Sequence, residues 1–198
     1  TMGSVMGTNM VGGLVGWNIG GTIADSYSRA SVNGADEVGG LVGRSSVGRG
    51  AAYLQRSYST GAVSGSGDDI GGLLGRATGG PTVDEHCYWD TQTSGAAMSA
   101  GGTGKTTAEL MRLETFTDTD TVGLDEAWDM AAVGHGETDP MATWKIVDGR
   151  GYPFLNWERV RVEVQLELKA GWNMVAVPRG LAAGEDTVEK VFKGDIGA

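Results

Sequence analysis

Apolar positions in the first ninety residues fall in short clusters set between glycines, not along a helical stripe. "VGGLVG" at 11–16 returns as "VGGLVG" at 38–43 and as "IGGLLG" at 70–75. Blocks this short and glycine-rich do not form helices, and glycine within a strand marks a bend or a close backbone approach. A second block, "DSYSRASVNG" (25–34), aligns without gaps with "RSYSTGAVSG" (56–65) and more loosely with "HCYWDTQTSG" (86–95). "SYSRASV" and "SYSTGAV" alternate and carry β-branched and aromatic residues, the pattern of strands. Tyr27, Tyr58 and Tyr88 fall in register, as do Ser26, Ser57 and Cys87.

The blocks keep their length, whereas the joins "WNIGGTIA" and "RSSVGRGAAYLQ" differ. Fixed blocks and variable joins predict stacked strands with loops at the corners. The expected fold is mainly β: a glycine-rich parallel β-solenoid of about three repeats over residues 1–95. Stacked strands lie about 4.8 Å apart. The blocks Gly12-Gly13-Leu14, Gly39-Gly40-Leu41 and Gly71-Gly72-Leu73 should therefore superpose. Val11, Leu14, Val38, Leu41, Ile70 and Leu73 should form inward ladders, and the tyrosines should stack on one another. "GSVMGTNMV" (3–11) matches "ASVNGADEV" (30–38), so the chain is expected to open in the tail of an earlier repeat.

Residues 96–157 read as a cap with one short helix near 106–116 and a β-hairpin near 143–157. "SAGGTGKTTAELM" (99–111) holds Gly104, Lys105 and Thr106 of a phosphate-binding loop, but Ser99 stands where that loop needs its first glycine. No buried strand precedes it. Thr106 followed by Glu109 is instead a capping box, with Leu110, Leu113 and Phe116 spaced for one buried face. This helix is expected to seal the open end of the solenoid, where strand groups would otherwise be unpaired. Trp144, Tyr152, Phe154 and Trp157 should supply an aromatic core. Residues 158–198 read as the start of a C-terminal β module. "RVRVEVQLEL" alternates strictly, placing Val160, Val162, Val164, Leu166 and Leu168 on one face. That unfinished pair is expected either to be cut short or to add a strand to another chain.

A net charge of −10 argues against a nucleic-acid partner. Glycine, 35 of 198 residues, is more than twice its average share of about 7% without a collagen period. One cysteine, Cys87, precludes an internal disulfide, and no run of about 18 apolar residues would span a membrane.

Candidate chemistry is sparse. "DTDTVGLDEAWD" (118–129) has the outline of a calcium loop, with Asp118, Asp120, Asp125 and Asp129 as weak ligand candidates and Gly123 at the turn. Val122 occupies a ligand position, so a plain turn leading into Trp128 competes with it. Stacked Asp36–Glu37 and Asp68–Asp69 should form a solvated corner, with a held cation as the alternative. His86 and His135 lie outside any H-E-x-x-H pattern. In the column Asp25, Arg56, His86, with Glu85 and Asp90 nearby, the charges are mixed and define no acid pair. No catalytic residue and no cofactor is assigned. Trp17 and Trp89 are candidates to stack on a sugar, or to pack in the core.

"VGGLVGWNIGGTIADSYSRASVNG" resembles the GLUG repeat, a motif of large bacterial surface proteins that include filamentous-haemagglutinin-like adhesins and some surface peptidases. "YWDTQTSG…GKTTAELM…GYPFLNW" resembles the region that often follows such repeats, and "KAGWNMVAVP" resembles the opening of a small β module near the ends of bacterial surface proteins. The resemblance implies a non-enzymatic adhesin or structural stalk, extracellular or on a cell surface, whose partners are another protein, a glycan or copies of itself. A self-assembling filament joined through residues 159–178 and a carbohydrate-binding or carbohydrate-active β-helix are the rivals.

Overall fold

The structure, a computed structural model, describes residues 3–48, 50–79, 83–133 and 139–158. Each repeat is a run of five short strands. The first comprises β1 (Ser4–Met6), β2 (Asn9–Gly12), β3 (Val15–Ile19), β4 (Thr22–Ala24) and β5 (Tyr27–Ser28). The second comprises β6 (Ser31–Asn33), β7 (Asp36–Gly39), β8 (Val42–Ser46), β9 (Tyr53–Gln55) and β10 (Tyr58–Ser59). The third comprises β11 (Val63–Ser64), β12 (Ile70–Gly71), β13 (Leu74–Thr78), β14 (Val83–Glu85) and β15 (Tyr88–Asp90).

The first strand of each repeat pairs with the first strand of the next, and so on through the fifth, always in parallel. The result is a mainly β fold built of parallel sheets. Val11, Val38 and Ile70 pair in one column, and Val15, Val42 and Leu74 in another. Tyr27, Tyr58 and Tyr88 are partners in a third.

Space, not left-handed backbone, explains the glycine pairs. A Cβ on Gly12, Gly39 or Gly71 would lie within 2.1 Å of the carbonyl oxygen three residues on. A Cβ on Gly13 would meet the Ser28 hydroxyl at 2.1 Å, and one on Gly72 would meet the Trp89 ring at the same distance. The pair therefore lets the chain turn sharply while the fifth strand of the same repeat packs against it. The left-handed corners fall to other residues: Met10, Asp25, Glu37, Arg56 and His86, with φ between 42° and 56°. Each such residue costs about 1–2 kcal/mol, offset by the ladders on either side.

Inside the repeats, Leu41, Val42, Leu54, Leu73, Leu74, Cys87 and Trp89 form one buried cluster, and Val11, Val32, Val38 and Val63 a second. Of the expected inward leucines, Leu41 and Leu73 are fully buried and Leu14 is 50% exposed; the Leu14 N–H donates to the Leu41 carbonyl and the Leu41 N–H to the Leu73 carbonyl.

The cap also differs from expectation. The segment that follows the third repeat covers the edge of the stack by itself. The Ser99 hydroxyl accepts the N–H groups of Leu73 and Leu74 and donates to the Leu74 carbonyl. The strand β16 (Thr103–Lys105) then adds in parallel to β15. The single expected helix is two: α1 (Thr107–Leu110) and α2 (Glu114–Thr117). The break comes from outside the helix, since Asp148 accepts the Leu113 N–H and Gly149 donates to the Met111 carbonyl. The strand β17 (Met130–Ala132) runs parallel to β18 (Trp144–Ile146), which pairs antiparallel with β19 (Phe154–Leu155).

The two helices and β17–β19 pack along the tyrosine flank of the stack. Tyr58, Tyr88, Leu110, Phe116, Leu124, Trp128, Trp144 and Ile146 form one buried cluster. Repeats and cap thus share a core, and Thr1–Arg159 is a single unit, with Val160–Ala198 falling in a second. The strand-addition candidates Val160, Val162, Val164, Leu166 and Leu168 lie outside the described residues, as does His135.

Candidate functional site

Two surfaces gather polar chemistry: the flank where the cap meets the repeats, and the outer face of β3, β8 and β13. At the flank, Tyr27 and Tyr58 stack at 5.2 Å with rings 6° from parallel. Tyr88 does not continue that stack. It packs on Phe116 at 5.6 Å and Trp128 at 6.1 Å, because the cap reaches the third repeat there.

Every repeat hands polar groups to the cap. In the first, the Tyr27 hydroxyl donates to both Glu158 oxygens, at 2.7 and 2.9 Å. Burial and that carboxylate push the Tyr27 phenol up to about 12. Arg29 donates to the Pro153 carbonyl at 2.8 Å and to the Tyr58 hydroxyl at 3.0 Å, with its guanidinium 4.8 Å from the Tyr27 ring centre. In the second, the Tyr58 hydroxyl donates to the Pro153 carbonyl. In the third, the Trp128 indole donates to the His86 carbonyl at 3.1 Å, and the Tyr88 hydroxyl to the Gly123 carbonyl at 3.2 Å.

Asp90, fully buried, accepts from Gln92 N, Thr93 N, the Thr107 hydroxyl and the Tyr152 hydroxyl. Burial alone would raise its carboxyl. The four donors outweigh burial and hold it below the usual range. The column Asp25, Arg56, His86 contains a bidentate ion pair, with both Arg56–Asp25 distances at 2.9 Å. The Trp144 indole also donates to Asp25. The backbone of Glu85 pairs with Gln55.

The look-alike phosphate loop is dispersed into these structural roles. Gly104 and Lys105 are strand residues opposite Trp89 and Asp90. The Lys105 ammonium sits 5.6 Å from the Tyr88 ring centre. Thr106 and Glu109 make both bonds of a capping box.

The four calcium candidates are exposed. Asp118 accepts from Asp120 N, while Asp129 accepts from the backbone and hydroxyl of Thr143, which lower its carboxyl. Gly123 is left-handed, with φ of 86°. Among the described residues no three His, Cys, Asp or Glu gather as a metal site.

Of the acidic corner, Asp68 is exposed and Asp36 and Asp69 are half-buried, while Glu37 is drawn inward. Glu37 is 9% exposed and bonds Arg44 at 3.4 Å and Arg76 at 3.7 Å; Arg76 also bonds Asp69 at 2.8 Å. Sequence reasoning missed these arginines. The available signal is the residue closing each glycine block, "GLVGW", "GLVGR" and "GLLGR", which places Trp17, Arg44 and Arg76 in one outward column. The two tryptophans separate here: Trp89 is 6% exposed and Trp17 46%.

Residues 7–33 match the GLUG motif. The GLUG segment runs from the approach to β2 through β6, and its left-handed corners, Met10 and Asp25, recur at Glu37 and Arg56. No curated protein and no solved structure matches the chain. No helix among the described residues is long and apolar enough to cross a membrane.

Proposed function

We propose that this chain is a non-enzymatic scaffold segment, a β-solenoid stalk or adhesin piece of a bacterial cell-surface or secreted protein. The observation that carries the reading is the attachment of one cap to all three repeats. In an ordinary repeat array each unit touches only its neighbours, so ends fray and the stack unzips stepwise. Here Arg29 and Asp25 of the first repeat, Tyr58 of the second and Asp90 of the third bond to Trp144, Tyr152 and Pro153 of one cap. The arrangement suits a stiff spacer under tension.

The polar groups support the same conclusion. Asp25 and Asp90, the carboxylates best placed for chemistry, are consumed as acceptors for structural donors. The GLUG match supports a β-rich repeat protein, and the surface location follows from the family resemblance.

Pulling the chain by its ends in single-molecule force spectroscopy tests the scaffold reading. The three repeats and cap should give way in one event. A ladder of separate, repeat-sized steps would refute it. An antibody against the folded chain should label intact producing cells, and labelling only after permeabilisation would refute the surface location.

A further inference from the structure

The turn leading into β18 sets a buried lysine against one particular peptide bond. Of the 4 prolines, Pro140 alone follows an aspartate. Asp139 and Pro140 are exposed, whereas Lys145 of β18 is 3% exposed. From its buried position Lys145 Nζ donates to the Asp139 carbonyl oxygen at 2.5 Å. The Ala142 N–H donates more weakly to the same oxygen at 3.5 Å, and Asp139 Oδ1 accepts the Met141 N–H at 2.9 Å. A buried ammonium needs acceptors, and any carbonyl could be one. The carbonyl it polarises here precedes a tertiary amide and shares its residue with a carboxylate.

We propose that Asp139–Pro140 is a self-cleavage site, with the Asp139 carboxylate as nucleophile and Lys145 as electrophile and proton donor. A carboxylate oxygen of Asp139 attacks the carbonyl carbon of the same residue and closes a five-membered ring. Nucleophile and carbon belong to one residue, so the reaction pays no entropy of encounter. The oxyanion forms where Lys145 and Ala142 already donate. Collapse breaks the C–N bond while Lys145 passes a proton to the Pro140 nitrogen, which carries no hydrogen of its own. The products are a cyclic anhydride at Asp139 and a free Pro140 amine. Water opens the anhydride at this exposed residue, and the two protons released go to Lys145 and the Pro140 amine. The sum is hydrolysis of one bond, once per chain, with water as the co-reactant.

The two pieces would stay docked. The cut falls between β17 and β18, which pair over Met130–Ala132 and Trp144–Ile146. Trp144 remains packed on Tyr27, Tyr58 and Trp128, and the Pro140 carbonyl accepts from Asn156 Nδ2 at 3.1 Å. A continuous stalk thereby becomes two chains joined by a β pairing and an aromatic core, a joint that parts under load.

The test is to incubate the purified chain at neutral pH and follow it by denaturing electrophoresis and mass spectrometry, beside Asp139→Asn, Lys145→Met and Lys145→Arg. The expected result is first-order appearance of fragments 1–139 and 140–198, at a rate independent of protein concentration. The fragments should co-elute in gel filtration and separate in denaturant. Asp139→Asn should stop cleavage, and Lys145→Met should slow it by about 10²–10³-fold. Lys145→Arg keeps the charge but does not give up a proton. It should also be slow, and it serves where Lys145→Met fails to fold by tryptophan fluorescence. The chain held unfolded in urea should stay whole, because Lys145 then no longer meets the carbonyl. A folded chain that stays whole, cleavage in Asp139→Asn at the original rate, or equal rates in Lys145→Arg or in urea would each overturn the site. Force spectroscopy on Asp139→Asn, whose backbone stays continuous, reads the scaffold proposal separately.

Discussion

The Tyr152 hydroxyl donates to Asp90 Oδ2 at 2.7 Å, tying the loop before β19 to the third repeat across 62 residues of sequence. Asp90 accepts three further bonds and is held below the usual carboxylate range despite its burial. Because the folded state keeps this carboxyl ionised more readily than the unfolded chain does, its contribution is present above the unfolded value near about 4 and is lost as pH falls through the lower folded value. Asp90→Asn should destabilise the chain by about 1.5–3 kcal/mol at neutral pH. It should also flatten the acid limb of a stability–pH curve measured by urea unfolding.

Tyr27 gives the opposite limb. Its phenol is pushed up to about 12 by burial and by Glu158. Stability from the neutral phenol is complete below the unfolded value near about 10 and is lost as pH rises through the folded value. Tyr27→Phe should remove part of the stability loss between those two values. Thermal melts of both proteins across that window check it, and an unchanged alkaline limb would contradict the assignment.

Trp144 is the centre of the flank. It is fully buried, touches Tyr27, Tyr58 and Trp128, and donates to Asp25. Trp144→Ala should cost about 3–5 kcal/mol. Amide exchange should rise in the first repeat as well as in the cap, because both depend on this ring. Exchange that rises in the cap alone would show the repeats to be independent of it.

Glycine pairs should be intolerant for steric reasons. A Cβ on Gly40 would come within 2.1 Å of the Gly72 carbonyl oxygen, whereas one on Gly151 meets nothing within 4 Å. Gly40→Ala should lower the urea midpoint by the equivalent of about 1–3 kcal/mol. Gly151→Ala should leave it nearly unchanged. Equal effects would show that the close approach at Gly40 does not set the cost of the substitution.

What could be read before any coordinates was the register. Columns such as Tyr27–Tyr58–Tyr88 and Val11–Val38–Ile70 are visible because parallel pairing sets like residues of successive repeats opposite each other, and the spacing of blocks encodes that directly. The capping box of Thr106 and Glu109 is visible because it spans only three residues. The two short helices are not visible, since Asp148 and Gly149 interrupt the helix from 35 or more residues away. Burial of Trp89 and exposure of Trp17 cannot be told apart by residue type either.

Sequence by itself determined the repeat, its glycine blocks and its pairing columns, because these depend on periodicity and on side-chain size at neighbouring positions. Tertiary structure decided where the cap sits, that Glu37 would meet Arg44 and Arg76, and which aromatic rings face solvent. These outcomes depend on which surfaces cover one another, and a flank shared by Asp25, Tyr58 and Asp90 exists only once the repeats are stacked.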